Sequence, residues 1–265
     1  MLEAVVSGVL QGITEWLPIS SEGVLVLVKT RIFHSPQGLP HLMEQALFLH
    51  LGTFLAALIY FRKDVISLLK AFFRFNKAKK DQETVLTFLI IATLMSGFLG
   101  LLLFKLLERA SSSFALAGKG IIVLISCLLL INAFLQIKAG RKRGEKKESA
   151  LTTRDGFLLG FLQGMAVLPG LSRSGLTVSG LLLNKFDSAS ALRVSFLMSL
   201  PIVFFGNLFL NLTDFVFTFN ALLALFLSFL FGILTIGFLL RLAKKVNFGW
   251  FVLSFAALSF LSLLF

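Results

Sequence analysis

The sequence predicts an all-α, polytopic integral membrane protein of about six transmembrane helices plus two re-entrant helical hairpins, forming one domain over residues 1–265. Three observations carry this. Hydrophobic residues make up 57% of the chain and charged residues 14%, against roughly 25% charged in an ordinary soluble domain, so water is not the solvent of most of it. Six apolar runs approach or exceed the ~20 residues a helix needs to cross a bilayer. A polar, glycine-bearing phrase is also written twice: QGITEWLPISSEG from Gln11 and QGMAVLPGLSRSG from Gln163, 152 residues later.

The six runs fall at 43–61, 83–105, 117–137, 190–211, 219–240 and 246–265. The remaining apolar stretches, 2–31 and 154–186, are broken at their centres by Pro18, Ser20 and Ser21, and by Pro169, Gly170 and Ser172. Each half is too short to cross alone. Two short helices meeting at such a break predict a re-entrant hairpin, tolerated in a membrane where its free backbone groups line a protein-enclosed or wet cavity; a kinked full span is the alternative. The apolar N-terminus lacks a basic leader region and carries Glu3, Glu15 and Glu22, which reads as mature protein rather than a cleaved signal. Cys127 is the single cysteine; it excludes an intramolecular disulfide and is expected to pack as a small hydrophobe.

The formal charge of +12 does not point to nucleic acid, because the basic residues lie in short loops between apolar runs. The loops at 62–80 and 138–154 carry seven Lys and Arg each and the link 241–245 carries three, together 17 of 25. The positive-inside rule makes all three cytoplasmic, so cysteines at Lys77 or Lys142 should label from the inside only. The connection at 106–116, with Arg109 and Glu108, suits the outer side. Three crossings, an odd number, separate the two copies of the repeated phrase, so the copies face opposite ways. The result is an inverted repeat of approximately 1–110 and 150–265, with both chain ends outward and a binding site expected near the midplane.

The repeated breaks predict the chemistry. A helix starting after Ser20 and Ser21, or after Ser172, has hydroxyl caps and unpaired backbone N–H groups, and the positive end of its dipole points into the break. Two such ends facing each other form an anion site. Arg173 adds a planar fork of donors suited to phosphate, at a depth where arginine costs roughly 2.5–3.5 kcal/mol. A structural ion pair with Glu15 is the plainer reading of the same residue. Glu15 shares a helix face with Gln11 and Ser7, a polar stripe that can hold a divalent cation, supply a general base, or line a wet vestibule. Glu22 is a second candidate carboxylate, or a charge that favours the helix dipole. Of the histidines, His34 and His41 read as solvated; His50 is the one expected to reach the interior.

QGITEWLPISSEG and PGLSRSGLT, Pro169 to Thr177, resemble the two signature segments of the undecaprenyl-diphosphate phosphatase family, the bacitracin-resistance membrane phosphatases, and the resemblance spans essentially the whole chain. It implies hydrolysis of undecaprenyl diphosphate to undecaprenyl phosphate at the outer face of the bacterial plasma membrane, with a divalent cation, Mg2+ or Ca2+. Membrane lipids and the polyprenyl diphosphate are then the partners, with a homodimer left open. The resemblance places the acidic motif, and with it the metal, on Gln11 and Glu15, and the hydroxyl pair on Ser20 and Ser21, with Ser21 the nucleophile. Phosphate binding falls on Ser20, Ser172, Arg173, Ser174, Gly175 and Thr177. The chain departs from the family where a histidine usually follows Gly23: here the residue is Val24. Either Glu22 or Glu15 takes over the base role, or turnover is slow, or the chain is a non-hydrolytic flippase or anion transporter on the same fold.

Overall fold

A computed structural model describes residues 1–75, 79–113, 119–140, 144–210 and 218–264. Lys77 and Lys142 lie outside the described residues. The described residues are helical, with eleven α-helices: α1 (Leu2–Thr14), α2 (Ser21–Arg31), α3 (Leu39–Tyr60), α4 (Arg62–Phe73), α5 (Lys80–Ser113), α6 (Lys119–Ala139), α7 (Thr153–Met165), α8 (Arg173–Leu183), α9 (Ser188–Leu210), α10 (Phe219–Ala243) and α11 (Gly249–Leu261). Five of them, α3, α5, α6, α9 and α10, are long and apolar enough to cross a membrane.

The expected sixth crossing, 246–265, is shorter: α11 has 13 residues and continues as a 3-10 turn over Ser262–Leu264. Gly249, meeting α6 at Ile137 and Ala133, and the Asn247 side chain that accepts from its amide fix where α11 starts. Two connections also differ from expectation. The basic stretch at 62–80 contains α4, an amphipathic helix with Ile66, Leu69 and Phe73 exposed. The region from 106 onward continues α5 to Ser113 rather than leaving it. Cys127 is exposed on α6 rather than packed, one turn from Val123 and Ile131, which are exposed too. In a bilayer the outer face of a helix is as apolar as the inner one, so an apolar run does not say which residues point inward.

Each broken stretch folds as two short helices separated at its break. α1 and α7 each have 13 residues, α2 and α8 each 11, well under a span. Each pair turns back on itself. Lys29 near the end of α2 bonds Glu3 at the start of α1 at 3.0 Å, and Asn184 after α8 bonds Asp155 at the start of α7. The two tips meet: the amide of Gly170 donates to Ser20 Oγ at 3.1 Å.

The repeated glycines explain why the phrase recurs. α1 lies along α10 and α7 lies along α5. A Cβ at Gly12 would stand 2.8 Å from the Gly232 amide nitrogen and the Ser228 carbonyl oxygen on α10, and one at Gly160 would stand 2.8 Å from the Ala92 carbonyl oxygen on α5. Gly8 meets the Ala224 carbonyl in the same way, and Gly164 meets Leu99. Only residues without a side chain allow backbones this close. Around the tips sit two apolar clusters. One, with Trp16, Phe88, Phe186 and Phe196, joins the break after α1 to α5 and α9; the other, with Ile19, Ile125 and Val252, joins it to α6 and α11.

Candidate active site at the two helix breaks

Each half-helix after a break begins with a serine cap. Ser20 caps α2, accepting from the Gly23 amide at 3.3 Å, and Ser172 caps α8, accepting from the Gly175 amide at 3.0 Å. Ser20 holds a left-handed backbone with φ 65°, and Gly170 in the opposite tip has φ 108°. A serine there is strained, and such strain gathers at working sites. The starts of α2 and α8 share a cavity of about 50 Å3, lined by Glu15, Ser20, Ser21, Glu22, Ser172, Arg173 and Ser174 with His50 from α3.

Glu15, at the end of α1, is the hub. It is 6% exposed and takes four donors. Ser21 Oγ donates to Oε2 at 2.8 Å, Gln11 Nε2 at 3.0 Å and His50 Nε2 at 3.1 Å, while Arg173 Nη2 pairs with Oε1. A hydroxyl hydrogen-bonded to a buried carboxylate is the arrangement of a nucleophile with its base. His50 Nδ1 lies 2.7 Å from the Ala46 carbonyl, so the ring is fixed between that carbonyl and Glu15.

Arg173 forms the ion pair with Glu15 that the plainer reading foresaw, and keeps capacity beyond it. Its Nη1 is buried without a hydrogen-bond partner. The guanidinium stacks over Phe196 at 5.5 Å, and Phe196 in turn packs on Trp16. A planar fork fixed by a ring and a carboxylate, with one nitrogen unpaired, suits a phosphate oxygen.

Most of the residues singled out from the sequence are brought together, and two are not. Thr177 Oγ1 is fully buried one turn behind Arg173, bonded to Ser195 Oγ at 2.7 Å and the Arg173 carbonyl at 2.8 Å, so it braces α8 rather than lining the cavity. Gly175 contributes its amide to the Ser172 cap, and a Cβ there would meet Gln136 and Asn132 of α6. Sequence reasoning missed the bond of His50 to Glu15, the Phe196 platform, and Gln136, whose amide donates to the Pro18 carbonyl at the first tip. The signal for His50 was available: an ionisable side chain inside an apolar span has a task by default.

For a divalent cation the donor set is lean. Among the described residues no group of three or more His, Cys, Asp or Glu gathers as a metal cage, and Glu15 is occupied by donors. The oxygens beside it not engaged by protein partners are Gln11 Oε1, buried and unpaired, and the carboxylate of Glu22, which lines the cavity. That set fits a cation bound by one or two carboxylates and completed by substrate phosphates, as Mg2+ commonly is.

A second, apolar cavity of about 470 Å3 opens beside the first. It runs between α3, α5, α7 and α9 along Leu47, Leu101, Phe104, Ile202 and Phe209 and ends on Glu22, His50 and Arg173.

Fold and cavities together define a multi-pass helical membrane protein whose polar centre is assembled from two facing helix N-termini and reached by an apolar groove. The chain belongs to the BacA family: the family model described as bacitracin resistance protein BacA matches residues 4–261. A protein of Methanococcoides burtonii named undecaprenyl-diphosphatase is 38% identical over 98% of this chain and 97% of its own length. Proteins of the same name from Haloarcula marismortui, 38% identical over 94% of this chain and 92% of their own, and Christiangramia forsetii, 34% identical over 96% and 93%, are similar to it as well.

Proposed function

We propose that the protein is a membrane phosphatase that hydrolyses undecaprenyl diphosphate to undecaprenyl phosphate and inorganic phosphate. It thereby recycles the lipid carrier for peptidoglycan synthesis and confers bacitracin resistance. The family and the relatives' name support the substrate. The observation that carries the chemistry is the Ser21 hydroxyl donating to the buried Glu15 carboxylate at 2.8 Å beside an arginine with a nitrogen to spare.

The prenyl tail lies in the apolar groove and the diphosphate enters between the tips. Arg173 and the first amides of α2 and α8, with Ser172 and Ser174, hold the terminal phosphate and stabilise the charge that spreads over its oxygens as it transfers. Ser21 Oγ attacks that phosphorus and passes its proton to Glu15 Oε2. The bond to the bridging oxygen breaks, and Glu15 returns the proton to the departing undecaprenyl phosphate. Glu15 then takes a proton from a water that attacks the phosphoserine; phosphate leaves and Ser21 recovers its hydrogen. The sum is one water consumed and one anhydride cleaved. His50 positions Glu15, so a histidine from α3 supports the base where the family's own position carries Val24. A divalent cation, Mg2+ or Ca2+, would be held beside Glu15 by Gln11 Oε1 and Glu22 and would supply charge neutralisation on the phosphate oxygens.

The two hairpins form an inverted repeat of roughly 1–110 and 150–265, supported by the matched pairings of α1 with α10 and α7 with α5. The basic loops face the cytoplasm and the pocket opens to the outer side of the bacterial plasma membrane. Reconstituted in vesicles with C55 diphosphate, the wild type should release inorganic phosphate and Ser21→Ala should not. Lipid that changes leaflet with no phosphate released would replace this reading by a flippase on the same fold.

A further inference from the structure

Ser7, Gln11 and Glu15 succeed one another at intervals of four residues on one face of α1. Gln11 is fully buried and Ser7 is 2% exposed, yet Ser7 Oγ and Gln11 Oε1 have no hydrogen-bond partner in the protein. Leaving a buried polar atom unpaired costs about 1–3 kcal/mol, so two in file on one helix face call for a ligand. The end of the file is open. Ser7 lines a polar cavity of about 660 Å3 between the starts of α1, α3 and α10, walled by Glu3, Lys29, His41 and Glu44. At its inner end Gln11 Nε2 donates directly to Glu15.

Four residues of helix advance ~6 Å along the axis, the span of one water making two hydrogen bonds of ~2.8 Å. A water between Ser7 and Gln11, and another between Ser7 and the vestibule, would satisfy both orphaned oxygens. The carbonyl of Gln11 has two lone pairs, so accepting from this water leaves one for a cation. The other way into the site, the groove along α3, α5, α7 and α9, is walled mainly by hydrocarbon side chains and is where the lipid tail belongs. We propose that Ser7 and Gln11 form a water file joining the polar vestibule to the Glu15 carboxylate, through which the site draws its hydrolytic water while the groove is filled by lipid. The use of that water rests on the phosphatase reading; the file itself does not.

The test has two arms on the full chain in detergent, with Cys127→Ala as background. In the first, Ser7→Cys should react with a small charged methanethiosulfonate reagent, while Ser126→Cys, buried in α6 against Ser259, should not. Equal protection of the two cysteines would overturn the file. In the second, Ser7→Leu plugs the path and should lower phosphate release about tenfold or more with binding of the diphosphate kept, while Ser7→Thr, which retains the hydroxyl, should stay within a few-fold of wild type. Full turnover by Ser7→Leu would also overturn it. A wild type that releases no phosphate sinks the phosphatase reading instead, and the labelling arm then decides the file alone.

Discussion

Replacing Glu15 by glutamine removes the charge from the hub and keeps its shape, so the loss is set by the four donors around it. The carboxylate accepts from Ser21, Gln11 and His50 at one oxygen and pairs with Arg173 at the other. An amide offers one oxygen and one nitrogen, and the nitrogen would have to face a donor on whichever side it is placed. Ser21 loses its proton acceptor, a general-base contribution of typically ~10²–10⁴ in rate. Arg173 is left as a buried cation without its partner, and breaking a buried pair from one side costs about 3–5 kcal/mol. Glu15→Gln should therefore lose at least about a hundredfold in phosphate release and unfold at a clearly lower temperature. Glu22→Gln alters a carboxylate that lines the cavity without bracing Arg173, so it should keep its stability and lose far less rate. Initial rates on C55 diphosphate and a thermal melt of each purified variant decide this. A Glu22→Gln that falls a hundredfold while Glu15→Gln stays near wild type would refute the reasoning and move the base to Glu22.

Arg173→Lys should cut turnover severely although charge is retained, because an ammonium cannot hold Glu15 and a phosphate oxygen in one plane; near-full rate and affinity would reduce Arg173 to a counter-charge, as would a stability loss in Arg173→Ala that Glu15→Ala repairs. His50→Phe should lower kcat about tenfold with little change in KM, and His50→Gln, which can still donate to Glu15, should recover most of it; equal loss in both would deny the donor role. Gly12→Val and Gly160→Val should each destabilise the protein by about 1–3 kcal/mol, since both force apart helices in backbone contact; a melt unchanged in either would contradict the packing account of the repeated phrase.

The site was legible in the sequence wherever a local rule fixes the geometry. Serine before a helix start caps it, so Ser20 and Ser172 were readable as caps, and the spacing of Gln11 and Glu15 placed both on one face. The pairing of Arg173 with Glu15 was readable because a charge at that depth needs a partner and few are on offer. What escaped depends on long-range packing. His50 lies on another helix and meets Glu15 only when α3 docks against α1. Thr177 sits inside a matched signature, but the rotation of α8 turns its hydroxyl toward Ser195. Cys127 and the short α11 escaped for a different reason: apolar runs measure affinity for lipid, and lipid does not distinguish an inward face from an outward one. Charge density marked 62–80 as a loop and hid α4, whose period lies in Ile66, Leu69 and Phe73.

On this reading the buried pocket between the two hairpin tips cleaves a polyprenyl diphosphate. Inorganic phosphate released from C55 diphosphate by the purified wild type, with divalent cation present and then chelated, and by Arg173→Ala beside it, tests that most directly. The wild type should show multiple turnovers and a large loss on chelation, and the arginine variant no more than background release. Wild-type protein that binds the diphosphate and releases no phosphate under any of these conditions would contradict it.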